Sequence, residues 1–152
     1  MLRSRTRRVL AFKMNFQDFI EQLELAAASE DFFERSQQLT DEWSRSNAGL
    51  EAAEAVLRFM EAHPSLDFGM PGPLVHFVEQ FHRHGYEEKL LESFSRTPTP
   101  HTAWMLNRLI NGTSEAARKQ LLTKVLLEGM ENPACDAETV LRIRQFAARV
   151  SK

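Results

Sequence analysis

Apolar residues recur along this chain at steps of three and four almost from end to end, the period of an α-helix with one buried face. Phe16, Phe19, Ile20, Leu23 and Ala27 define the first such face and predict a helix over residues 15–28. Ser29 stands as its successor's cap, with Glu30 and Asp31 in the first turn, where carboxylates favour the helix dipole. Phe32, Ser36, Leu39 and Trp43 form the second stripe, with Phe33 beside it. Asn47 is the expected cap of a third helix that buries Ala53, Val56, Leu57 and Met60 and ends at His63-Pro64.

Two breaks punctuate the pattern. Residues 66–73, LDFGMPGP, cannot continue a helix and predict a tight, fixed turn with a proline at the next helix start. A helix then carries Leu74, Val78 and Phe81, widened by Val75 and Phe77, and stops at Gly85; a short one follows from Tyr86 to Phe94. Residues 96–100, RTPTP, are the second break, with Thr99 as cap and Pro100 as first helical residue. Beyond it come the stripe Ala103, Leu106, Ile110, ended by Gly112, then Ala117, Leu121, Val125 with Leu122 after a Ser114 cap, ended by Gly129. Val140, Ile143, Ala147 and Val150 complete the series behind Asp136. No run alternates with β-branched enrichment, so no sheet is expected. The fold expected is all-α: about eight short helices, as stacked antiparallel hairpins in the manner of HEAT arrays or as one compact bundle.

Composition changes little in that picture and charge changes much. The 152 residues and 43% apolar content suit one domain with a core, and no stretch reaches the length of a membrane span. The lone cysteine, Cys135, cannot form an internal disulfide and fits a reducing compartment; the localisation expected is cytoplasmic. Residues 1–13 carry five basic residues and no acid, and read as a disordered basic extension ahead of a single helical domain over 14–152. From Met14 to Glu92 the chain has 16 acidic and 5 basic residues, a balance of −11; from Ser93 to Lys152 it has 5 acidic and 9 basic, a balance of +4. An acidic surface of this strength attracts a basic partner.

Candidate chemistry is thin. His82 and His84, two apart on a helix, point about 200° apart and cannot share one ion, and neither HExxH nor CxxC is present. Cys135 lies beside Asp136, which raises a thiol's pKa, so a nucleophilic role is not expected. The carboxylates Glu30, Asp31, Glu34, Asp41, Glu42, Glu51 and Glu54 sit opposite the apolar stripes and read as a charged outer face or a partner-binding face rather than as acid–base pairs. In the basic third, Arg142 and Arg149 align on one helix while Arg144 points elsewhere, too few charges in line for a phosphate-binding stripe. Asn107 and Asn111 share a helix face and are expected to hold stacked hairpins by bonding neighbouring carbonyls. No enzyme, metal, cofactor, nucleic acid or membrane is expected.

Two stretches, residues 67–77, DFGMPGPLVHF, and residues 97–111, TPTPHTAWMLNRLIN, together resemble small helical immunity proteins of bacterial toxin–immunity systems, including those of contact-dependent inhibition. The resemblance covers about a sixth of the chain and excludes its basic start. It implies a cytoplasmic protein that binds and neutralises one cognate toxin domain, often a nuclease with a basic cleft, and it supplies no binding residues. Charge and helical position alone nominate the seven carboxylates above as partner contacts. In the two stretches, Asp67 and Gly69 would shape a turn, and Trp104, Asn107 and Arg108 would tie hairpins together. The alternative is a helical-repeat scaffold or adaptor without catalytic activity.

Overall fold

The computed structural model describes residues 14–69 and 71–150, so the expectation for the basic segment 1–13 lies outside the described residues. Among those described there are eight α-helices and no strand: α1 (Phe16–Ala27), α2 (Phe32–Arg45), α3 (Leu50–Ala62), α4 (Pro73–Glu79), α5 (Tyr86–Arg96), α6 (Pro100–Asn111), α7 (Ala116–Glu128) and α8 (Ala137–Val150), with a 3-10 turn at Gly129–Glu131. The chain is all-α, and no described helix is long and apolar enough to cross a membrane.

Helix starts follow local chemistry. Asn15 and Asp18 form a reciprocal capping box on α1, and Thr99 and Thr102 do the same on α6, where Pro100 is the first helical residue. The Asp136 carboxylate accepts from the Thr139 N–H at 2.8 Å. Four expected caps moved. Ser114 does not cap α7, which begins behind Glu115 without a side-chain cap. Ser29 donates to the Ala26 carbonyl at the end of α1, and α2 begins behind Asp31 without a side-chain cap. Asn47 does not start α3 but ends α2: with φ 57° it lets Asn47 N–H reach Ser44 O and Ala48 N–H reach Trp43 O, a paired helix stop, and Gly49 precedes α3. Gly85, with φ 100°, precedes α5 rather than stopping α4, which ends six residues earlier.

The helices pair as hairpins, α1 on α2, α3 on α4, α5 on α6 and α7 on α8. Short connections between packed helices make the pairs antiparallel. The hairpins stack: α1, α3 and α5 lie side by side in one layer, α2 against α4 and α6 against α8 in the other. Four ion pairs and one carboxylate–imidazole hydrogen bond follow the same stacking direction. Glu24 meets His63 just past α3 (2.8 Å), Glu54 on α3 meets Lys89 on α5 (3.4 Å), and Glu61 on α3 meets Arg96 on α5 (2.9 Å). Glu79 on α4 meets Arg108 on α6 (3.0 Å), and Glu87 on α5 meets Arg118 on α7 (2.8 Å). Each joins one helix to the next but one, the contact a repeat stack needs.

Between the layers runs an apolar core whose first half is aromatic. Trp43 stands edge-on to Phe19 and Phe77, and its indole N–H donates to Gln22. Phe32, Phe59 and Phe68 form a second cluster, with the His101 ring edge-on to Phe68 at 4.4 Å. The loop between α3 and α4 carries Phe68 into this cluster. Asp67 accepts from the Gly69 N–H at 2.9 Å, Gly69 adopts φ 83°, and a Cβ on Gly72 would overlap the Phe68 carbonyl oxygen. On α7 the expected stripe is corrected: Ala117 and Leu121 are exposed, and Leu122 and Leu126 are fully buried.

Candidate partner-binding surface

The first hairpin, residues 14–49, holds eight acidic and two basic residues, a balance of −6. Of its eight carboxylates, Glu24 meets His63, Asp18 caps α1 and Asp41 accepts from the Gln37 amide at 3.0 Å. Glu21, Glu30, Asp31, Glu34 and Glu42 are exposed and make no ion pair among the described residues. Glu30, Asp31 and Glu34 cluster at the α1–α2 turn, while Glu42 borders a cleft between these helices with Leu25, Arg35 and Leu39.

Glu51 and Glu54 stand apart from this group. Glu51 accepts from the Phe16 N–H at 3.0 Å, closing the start of α1, and Glu54 is engaged by Lys89. The 12 residues of α1 separate that end from the α1–α2 turn by about 18 Å. The seven nominated carboxylates are thus not gathered in one site: five lie along the first hairpin, and Glu51 and Glu54 on α3 hold the fold together.

Two apolar side chains complete the surface. Leu25 is 74% exposed and Phe33 is 62% exposed. Phe33 borders Gly69 at the loop, and Leu25 opens onto the cleft on the other side of α2. The sequence singles out neither, setting Phe33 beside the second stripe; the signal that marks both is a position off the stripes that bury their neighbours. An exposed aromatic beside unpaired charge is the composition of an interface anchor with a polar rim.

The remaining candidates resolve individually. His82 and His84 are exposed in the turn after α4, not on a helix, and no group of three or more His, Cys, Asp or Glu is placed to hold a metal among the described residues. Burial, then the Asp136 charge, pushes the Cys135 thiol up. Arg108 ties hairpins as expected: its guanidinium makes two 3.0 Å bonds to Glu79 and lies 5.0 Å over the Trp104 ring. The asparagine ladder is corrected. Asn111 is exposed, and neither it nor Asn107 makes a side-chain hydrogen bond among the described residues. Asn132 does that work instead, donating to the Ser95 carbonyl at 2.8 Å.

No family model matches this sequence, and comparisons with curated proteins and with solved structures also return no match.

Proposed function

We propose that this chain is an immunity-type binding protein that captures a basic protein toxin domain on its first hairpin and has no catalytic role of its own. The observation that carries this reading is electrostatic. Glu54, Glu61, Glu79 and Glu87 of α3, α4 and α5 are engaged by ion pairs along the stack, whereas Glu30, Asp31, Glu34 and Glu42 have no such partner among the described residues. A basic cleft built for nucleic-acid phosphates offers the complementary charge, and Phe33 and Leu25 offer buried area once docked. The resemblance of residues 67–77 and 97–111 to immunity proteins supports the same reading. These stretches serve as scaffold: Asp67 and Gly69 shape the loop, and Arg108 and Trp104 brace α6.

The stacked hairpins also suit an adaptor that binds several partners weakly. Co-expression of the full chain with the C-terminal domain encoded by the gene immediately upstream separates the two. The immunity reading expects a stoichiometric complex that survives moderate salt and protects cells from the domain. Normal folding with neither complex nor protection leaves the adaptor reading in its place.

A further inference from the structure

A second surface begins at the α3–α4 loop, where Phe33 borders Gly69. The α3–α4 loop, the start of α6 and one face of α8 enclose a groove of about 490 Å³. On α8 that face reads Glu138, Arg142, Gln145, Phe146 and Arg149, at i, i+4, i+7, i+8 and i+11, so a single polar stripe runs about 16 Å along the groove. Arg142 and Arg149 make no ion pair or side-chain hydrogen bond among the described residues, although each lines the cavity. Trp104 and Leu66 supply apolar wall opposite them. His101 lines the same groove, and its Nε2 is buried without a hydrogen-bond partner.

These groups are directional. Asp67 and Glu138 both line the groove, and Glu138 lies in the first turn of α8. The guanidiniums follow along α8, four and eleven residues after Glu138. The groove is therefore acidic at one end and basic along the rest, with an aromatic wall between loop and helix.

We propose that this groove binds an extended acidic peptide segment of about five residues, the length that spans 16 Å at 3.3 Å per residue. The charge complementarity commits the occupant. Carboxylates of the segment take Arg142 and Arg149, and an apolar side chain lies against Trp104 and Phe146. Asp67 and Glu138 repel acid at their end and so fix the direction of the segment. This site uses no carboxylate of the first hairpin, which it adjoins at Gly69, and takes a ligand of the opposite charge.

The test uses the full chain against a displayed library of random linear pentapeptides, followed by anisotropy measurements on fluorescein-labelled versions of the enriched sequences. Enriched peptides should carry Asp or Glu together with a large apolar residue. Replacing the peptide's acids by their amides should weaken binding about tenfold per acid, and so should Arg142→Gln and Arg149→Gln. Arg144→Gln, on the same helix but outside the groove, should change nothing. Enrichment without acidic residues, or equal binding of acid and amide peptides to the unmodified protein, overturns the proposal whatever the variants do. Competition by a single-stranded RNA oligomer at the same potency would also overturn it, by showing a site for polyanions. Glu34→Lys leaves peptide binding intact, so failure of the toxin reading and failure of this one remain separable.

Discussion

His101 sits where loop, α6 and α8 meet, and its chemistry ties that junction to pH. Burial pushes its pKa below the ordinary value of 6.5, more strongly than backbone bonds to Leu66 and Pro64 and the charges of Asp67 and Glu138 pull it up. The unfolded chain therefore takes up a proton at a higher pH than the folded one does. Above about 6.5 both states are neutral at this residue and its contribution is constant; as pH falls below that value the unfolded state binds protons first and stability declines. Urea unfolding from pH 7.5 to 5 should show this decline, and His101→Gln should flatten it. An unchanged slope in the variant would assign the acid sensitivity to other groups. A second residue, Glu61, is only 10% exposed and accepts two bonds from Arg96 and one from Ser93. Glu61→Gln keeps the shape but leaves Arg96 without its counter-charge, and should cost about 2 kcal/mol in the same assay.

At the scale of elements, the α3–α4 loop is the least forgiving segment. An alanine Cβ at Gly72 would overlap the Phe68 carbonyl, and relieving it means moving Phe68 out of the aromatic cluster with Phe32 and Phe59. Gly72→Ala should cost on the order of 3 kcal/mol, a fall of several degrees in Tm, whereas Gly49→Ser, with nothing within 4 Å and no existing cap bond on α3, should stabilise by a few tenths of a kcal/mol. Calorimetry of the two variants checks both signs. This loop was legible as a fixed turn because prolines and glycines crowd it, and the helices were legible because their burial is one-sided. Where both faces of a helix are apolar the period loses its meaning: α7 carries leucines at 121, 122, 126 and 127, and sequence alone placed 121 inward. Caps failed where two candidates stood within a few residues. Asn47 is both a good N-cap residue and a good left-handed stop, and only the preceding helix's free carbonyls decided between them. Glu51 and Glu54 looked like solvated charge because their partners, the Phe16 N–H and Lys89, are 35 residues away in sequence in each case.

For the whole molecule, the contrast of −11 and +4 divides into two physical roles. Glu61, Glu79 and Glu87 from the acidic part pair with Arg96, Arg108 and Arg118 from the basic part, so much of the asymmetry is the stack holding itself in register. What is left over concentrates at the first hairpin, whose balance of −6 becomes zero when Glu30, Asp31 and Glu34 are all changed to lysine. None of the three is ion-paired among the described residues, so the triple variant should fold with an unchanged melting curve. If the hairpin steers a basic toxin domain, the association rate should fall about 10- to 100-fold at low salt, and the two proteins should converge near 1 M salt, where the Debye length is about 3 Å. Phe33→Ala should act differently, raising the dissociation rate at every salt concentration because it removes buried area rather than charge. Stopped-flow association and surface-based dissociation with the toxin domain read these two effects separately. A triple variant that associates as fast as the unmodified chain at low salt would remove the first hairpin as the docking surface, even if the complex itself forms.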